Sequence, residues 1–145
     1  MSQSVSYNKL NQKKQHTLRE TVRVEGVALH SGIAVSLTIK PAAIDHGIVF
    51  KRIDVKNRHA VIPAKWNLVR DTRLCTTITN KQRISVSTIE HLMAALSGCG
   101  IDNATIEVNG PEVPIKDASS EPFVNNFQSS GVVAQNAARQ ILLKT

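Results

Sequence analysis

The sequence predicts an α+β fold, a two-layer domain in which strands form one layer and two helices form the other. Several short segments alternate apolar and polar residues, which is the side-chain period of a half-buried strand. Two other stretches, Ser87–Gly100 and Pro122–Ser130, have the features of helices instead. The chain of 145 residues is 41% hydrophobic, which is enough for one domain with a substantial core. A pattern of mostly strands with two helices is typical of the α+β class.

The predicted strands follow the alternation in chain order. They are Thr17–Gly26, Ile33–Lys40, Ile48–Ile53, Leu74–Thr79, Ile84–Ser87, Ala104–Val108 and Gln140–Lys144, with short edge pieces at Val61–Pro63 and Lys65–Val69. We expect the first two strands to pair as a hairpin around the turn Gly26–Gly32, and the strands Leu74–Thr79 and Ile84–Ser87 to form a second hairpin. The side chains predicted to face the core from the first hairpin are Leu18, Val22, Val24, Val35, Leu37 and Ile39.

The first predicted helix has a start and an end that the sequence marks. Ser87 is expected to be the N-cap, and Glu90 three residues later completes a capping box. Gly98 and Gly100 are suited to the left-handed conformation that ends many helices. One face carries apolar residues at the helical spacing, namely Ile89, Leu92, Met93 and Leu96.

The composition argues against several classes of protein. No apolar run of 18 residues or more is present, so no membrane-spanning helix is predicted. Cys75 and Cys99 lack the spacing of a metal or redox motif, and two free thiols favour the cytoplasm. Lys51–Arg83 holds nine basic residues and two acidic ones, a charge that suits an anionic substrate or partner and equally a surface that only contacts solvent. Nucleic acid is not expected, because these basic residues are not interleaved with aromatic ones.

Glu90 and His91 are the adjacent residues that suggest chemistry. A carboxylate and an imidazole at the start of a helix can transfer a proton or bind a metal ion. The residues alone leave a second interpretation open, in which Glu90 only caps the helix and His91 is an ordinary surface or core histidine. The metalloprotease pattern His-Glu-x-x-His is absent, since Ala95 stands four residues after His91.

Four stretches of the chain carry motifs in a fixed order, namely Gly26–Gly32, Arg70–Thr76, Ser87–Asn103 with its Glu-His pair, and Gly110–Val124. Together they resemble the motifs of the UDP-3-O-acyl-N-acetylglucosamine deacetylases, a family of zinc-dependent amidases of lipid A synthesis. The stretch Ser87–Asn103 is similar to the family's main helix. The resemblance implies a mixed β-sheet backed by two helices. The family protein is about twice this length and has two similar domains, of which this chain resembles only the first.

The predicted domain organisation has three parts. Residues 1–16 are polar and without a periodic pattern, which predicts a flexible N-terminal tail. Residues 17–138 correspond to the deacetylase-like first domain. The resemblance implies that residues 139–145 are the start of a second domain that this sequence lacks.

The resemblance also implies a role for individual residues. His91 matches the family's first zinc ligand, and Glu90 matches the general base that acts on the metal-bound water. The substrate-lining residues expected from the matching motifs are His30, Arg73, Leu74 and Cys75. The other zinc ligands and the general acid belong to the family's second domain. Because catalytic zinc needs three protein ligands, we expect zinc in the complete enzyme and weak or no binding by this chain alone.

Two functions follow from the sequence. In the first, the chain is the first half of a deacetylase that hydrolyses the acetamide of UDP-3-O-acyl-N-acetylglucosamine, and it is inactive by itself. In the second, it is a truncated, non-catalytic homologue that acts as an interaction module or is a remnant of the enzyme. A domain that normally packs against another leaves apolar surface exposed, so a second-domain partner or self-association is expected in either case.

Overall fold

The structure is a computed structural model that describes residues 14–56, 60–65, 69–71, 76–115 and 120–139. Within these residues the chain forms eleven strands and two helices. The strands are β1 (Lys14–Leu18), β2 (Val22–Ala28), β3 (Ala34–Pro41), β4 (Ile48–Arg52), β5 (Val61–Pro63), β6 (Val69–Asp71), β7 (Thr76–Thr79), β8 (Ser85–Ser87), β9 (Ala104–Val108), β10 (Pro114–Ile115) and β11 (Val132–Ala138). The helices are α1 (Glu90–Gly98) and α2 (Glu121–Ser130).

A mixed six-stranded sheet is the largest element of the fold. Its order is β10-β2-β3-β9-β4-β5, and its neighbouring strands are antiparallel except for β9 and β4, which are parallel. Strands β6, β7 and β8 form a three-stranded antiparallel sheet, and β1 pairs with β11. The predicted α+β class, with a mixed sheet and two helices, is confirmed. The predicted edge position of Val61–Pro63 is also confirmed, since β5 lies at the end of the sheet.

The β2–β3 hairpin has the alternation that the sequence predicts. The residues predicted to face the core are each at most 7% exposed, and they are Leu18, Val22, Val24, Val35, Leu37 and Ile39. The turn is shorter than predicted, because Gly26 is still paired with Val35 in the ladder. The turn closes through the hydrogen bond from the Ala28 amide to the Ile33 carbonyl at 2.9 Å. Gly32 has a φ of +70° within it, a conformation that favours glycine.

The prediction of a single strand over Thr17–Gly26 is wrong. Strand β1 ends at Leu18 and β2 begins at Val22, and the two belong to different sheets. The apolar alternation continues through the break because Leu18 and Val22 both face the core, while the pairing partner changes from β11 to β3.

The prediction of a flexible tail over 1–16 is corrected for residues 14–16, which lie in β1. Residues 1–13 lie outside the described part of the chain.

Strand β11 is a strand that the sequence analysis did not predict. Its apolar residues are two valines followed by alanines, and none of them is fully buried. Such a segment lacks the strong apolar alternation that marks β3. The strand predicted at Gln140–Lys144 lies outside the described residues, and the predicted boundary at residue 139 stays a prediction.

A buried polar cluster joins the β1–β11 pair to the six-stranded sheet. The amide nitrogen of Asn103 donates to the Oε1 atoms of Gln15 and Gln135, at 2.8 and 2.7 Å. Asn103 Oδ1 accepts from the Gly47 amide at 2.8 Å, and Gln135 Nε2 donates to the Ala42 carbonyl at 2.9 Å. Asn103 is 2% exposed and directly precedes β9. Its side chain therefore connects β1 and β11 to the loop between β3 and β4.

The two helices contact each other and share one core with the sheet. Their fully buried side chains are Leu92, Ala95, Leu96, Phe123 and Phe127. Helix α1 ends as a Schellman motif, in which the Ile101 amide donates to the Leu96 carbonyl at 2.9 Å and Gly100 has a φ of +71°. The predicted end at Gly100 is thus confirmed, whereas Gly98 is the last helical residue. Within the residues that the structure describes, neither α1 nor α2 has the length and hydropathy of a membrane-spanning helix.

We expect Asn103→Ala to lower the free energy of unfolding by about 3 kcal/mol, because it leaves several buried polar groups without partners. Urea unfolding followed by circular dichroism measures this change. Asn109→Ala is the matched control, since Asn109 is exposed and its Oδ1 accepts one hydrogen bond, from the Ser36 amide at 2.9 Å. The control should lose less than about 1 kcal/mol. Equal losses in the two variants would contradict a special role for the buried cluster.

Candidate active site

The start of helix α1 differs from the predicted capping box. Ser87 is the last residue of β8, where it pairs with Thr77 and accepts a hydrogen bond from the Thr77 hydroxyl at 3.0 Å. The N-cap position belongs to Ile89, and no side chain caps the helix. The capping-box prediction is wrong because pairing with β7 keeps Ser87 in the sheet, two residues too early to cap the helix.

The Glu90 side chain binds Thr76, the first residue of β7, and does not cap the helix. Its Oε1 accepts a hydrogen bond from the backbone amide of Thr76 at 3.2 Å. The amide of Ile89 donates to the carbonyl of Thr76 at 3.4 Å, so one residue of the sheet contacts two successive residues of the helix start. Glu90 is half-buried in the first turn of α1.

His91 follows in the first turn of α1 and is half-buried. Among the described residues, no hydrogen bond or ion pair involves its imidazole. An imidazole without an intramolecular partner retains a nitrogen that can bind a metal ion or a substrate. The two predicted site residues thus lie together at the start of α1, where Glu90 is bound to Thr76 and His91 has no partner among the residues that the structure describes.

The buried carboxylate of Glu112 connects the β2–β3 turn to this helix start. Its side chain is 6% exposed, and Oε2 accepts from His30 Nδ1 at 2.5 Å and from the Thr88 hydroxyl at 3.0 Å. The backbone amides of His30 and Ser31 donate to the same carboxylate, at 3.0 Å to Oε2 and 3.4 Å to Oε1. Because an ionised carboxylate only accepts, His30 Nδ1 carries the hydrogen of the shared bond.

These contacts set the ionisation of Glu112. Burial alone raises the pKa of the Glu112 carboxyl, since it disfavours the charged form. Hydrogen bonds from the His30 backbone, the His30 ring and the Thr88 hydroxyl favour the carboxylate and outweigh burial. The pKa of Glu112 therefore lies below its ordinary value.

The sequence analysis did not identify Glu112 or Thr88 as site residues. The available signal was an isolated acidic residue between Pro111 and Pro114 in an otherwise apolar turn, within a motif that matches the family. His30, by contrast, was predicted to belong to the site, and the structure links it to Thr88 through Glu112. Its imidazole is 34% exposed.

Other predicted site residues are outside the described part of the chain. Arg73, Leu74 and Cys75 lie there, so their lining of a substrate site stays a prediction. Within the described ranges, no group of three or more His, Cys, Asp or Glu residues is placed to hold a metal ion. The described donors therefore do not form a complete catalytic zinc site, which needs three protein ligands.

Comparison with known proteins assigns the family. A family model for UDP-3-O-acyl N-acetylglycosamine deacetylase matches residues 15–145 of the chain. The chain belongs to this deacetylase family. The family membership predicted from four motifs is thereby confirmed. The motif Ser87–Asn103, which contains Glu90 and His91, includes the whole of α1.

Individual relatives of this deacetylase family agree. The chain is 48% identical over 129 residues to the UDP-3-O-acyl-N-acetylglucosamine deacetylase of Idiomarina loihiensis. It is 46% identical to the enzyme of that name from Pasteurella multocida and 50% identical to that from Vibrio cholerae, again over 129 residues. Each match covers 89% of this chain and 42% of the relative. The chain thus spans less than half the length of the curated deacetylases that it matches.

We expect the stability supplied by Glu112 to depend on pH. Because the folded-state pKa is lowered, the contribution is fully present above the ordinary value of 4.5 and is lost as the pH falls through the folded-state pKa. Glu112→Gln should lower the free energy of unfolding at pH 7, and the difference from the parent should shrink below pH 4.5.

Denaturant unfolding of both proteins at several pH values measures that difference. Glu25→Gln is the control for removing a carboxylate, since Glu25 is exposed on β2 and should change the free energy at pH 7 by at most about 0.5 kcal/mol. A difference between parent and Glu112→Gln that stays constant as the pH falls would contradict the lowered pKa.

Proposed function

We propose that this chain is the first part of a zinc-dependent deacetylase that hydrolyses the acetamide of UDP-3-O-acyl-N-acetylglucosamine in lipid A biosynthesis. The observation that carries the proposal is the arrangement of Glu90 and His91 in the first turn of α1, with Glu90 anchored to Thr76. The family membership and the names of the relatives support the reaction and the substrate.

Glu90 is the general base of the proposed reaction. It accepts a proton from the water that attacks the carbonyl carbon of the acetamide. The Thr76 amide occupies Oε1 and fixes the orientation of the carboxylate, which leaves Oε2 to receive the proton.

His91 is the metal ligand that this chain contributes. Its imidazole is unengaged among the described residues, and a neutral imidazole is a common zinc ligand. The remaining ligands and the general acid come from outside the described residues, in a second domain. When bound, zinc supplies a Lewis acid that polarises the carbonyl and acidifies the attacking water.

The substrate-lining residues of the proposal are His30, Arg73, Leu74 and Cys75. His30 contacts Glu112, and Glu112 also binds Thr88, which stands two residues before Glu90. These contacts support a position of His30 beside the catalytic pair.

Cys99 is a free cysteine and supports a cytoplasmic location for the protein.

An interaction module without activity is the second candidate function. It is favoured by three exposed apolar side chains at the end of the β2–β3 hairpin, Val27, Leu29 and Ile33, which are 53%, 59% and 62% exposed. A cluster of this kind suits contact with another protein domain or with a second copy of the chain. Hydrolysis by the isolated chain would exclude this candidate.

We expect Glu90→Gln to lower kcat of the complete two-domain protein by about 100-fold or more, because glutamine cannot accept the proton. Release of acetate from UDP-3-O-acyl-N-acetylglucosamine measures the rate. Glu107→Gln is the control, since Glu107 lies on β9 and pairs with Lys40 at 3.1 Å. An unchanged rate in Glu90→Gln would remove Glu90 from the mechanism.

We expect the chain alone to hold much less than one equivalent of zinc after purification, since a single histidine leaves most of the coordination to water. Mild chelation should remove this zinc without changing Tm. Elemental analysis of the parent and of His91→Ala measures the content. Near-equimolar zinc that His91→Ala abolishes would show instead that the chain completes the site, from its own residues or from a second copy.

A further inference from the structure

The residue that joins β8 to α1 has an unusual backbone conformation. Thr88 has a φ of +60° and is 1% exposed. A β-branched residue at positive φ is strained, and such a conformation persists only where the surrounding structure enforces it. Thr88 stands two residues before Glu90, so its backbone angles set the direction in which α1 leaves the sheet.

The contacts that enforce this conformation come from the segment around Glu112. The Ser87 amide donates to the Pro111 carbonyl at 2.8 Å, and the Val113 amide donates to the Ser87 carbonyl at 3.0 Å. The Thr88 hydroxyl donates to Glu112 Oε2 at 3.0 Å. The backbone of Ser87 and the side chain of Thr88 are thus both bound to three consecutive residues of one turn.

We propose that Glu112 is a positioning residue for the catalytic pair, because its buried carboxylate holds Thr88 in the left-handed conformation from which Glu90 and His91 are presented. The inference rests on the proposed function for its consequence in catalysis. Glu112 does not act on substrate itself, since it is 5% exposed and its acceptor positions are used by His30, Ser31 and Thr88.

The same carboxylate couples two parts of the site. Through His30 it binds the turn of the β2–β3 hairpin, and through Thr88 it binds the start of α1. Loss of Glu112 therefore releases both segments, and the catalytic pair keeps its side chains but loses its fixed orientation. A misplacement of about 1 Å in an active site can lower the rate about 100-fold, so the effect is expected in kcat rather than in KM.

The test uses the complete two-domain protein. Glu112→Ala removes the acceptor, and Thr88→Val removes the donor while retaining the shape of the side chain. We expect kcat to fall at least 10-fold in each, with KM within about 2-fold of the parent. Glu107→Ala, a carboxylate on β9 that pairs with Lys40, should leave both constants unchanged. Hydrogen exchange of residues 89–92 should be faster in Glu112→Ala and Thr88→Val than in the parent.

A second-site variant separates positioning from other roles. Glycine adopts positive φ without strain, so Thr88→Gly combined with Glu112→Ala should raise kcat at least 3-fold above Glu112→Ala alone. Unchanged kcat in both Glu112→Ala and Thr88→Val would overturn the proposal. A raised KM at constant kcat would overturn it too, since it indicates contact with substrate. If the parent has no deacetylase activity, the proposed function fails, and hydrogen exchange alone decides whether Glu112 fixes the helix start.

Discussion

The site depends on one buried carboxylate. Glu112 accepts hydrogen bonds from the β2–β3 turn and from Thr88, and it lies in a turn that also pairs with the backbone of Ser87. A buried charge is costly unless it is fully hydrogen-bonded, and here the donors are supplied by two segments distant in sequence. The carboxylate therefore requires both segments to be in place. Glu112 thereby links the hairpin turn to the helix start, in addition to the backbone hydrogen bonds between Ser87 and residues 111 and 113.

A second polar cluster has a comparable role at the other end of the domain. Asn103 binds Gln15 and Gln135, which belong to strands near the two ends of the described chain. Apolar packing tolerates small shifts, whereas a buried amide needs its partners at hydrogen-bond distance. The position of β11 beside β1 is consequently specified by polar contacts more than by the apolar residues of β11, which are small and incompletely buried.

Local patterns predicted much of the fold. Alternation located β9 at its observed residues and identified the inward face of β3, because both strands bury every second side chain. The predictions that were wrong depend on partners distant in sequence. The interruption after Leu18 is a change of pairing partner, and Ser87 fails to cap the helix because β7 retains it in a sheet. Neither fact is encoded in a window of neighbouring residues.

The candidate site likewise contains residues that local sequence predicts and residues that it does not. Glu90 and His91 are predicted as site residues because a motif that resembles the family contains them, whereas the capping box, the alternative role for Glu90, is wrong. Glu112 and Thr88 were missed, since a lone acidic residue in a turn and a threonine before a helix carry no local pattern. Their significance comes from a contact across 24 residues and from a positive φ, both of which exist only in the folded chain. Local sequence thus marks the groups suited to chemistry, and tertiary structure supplies the groups that hold them in place.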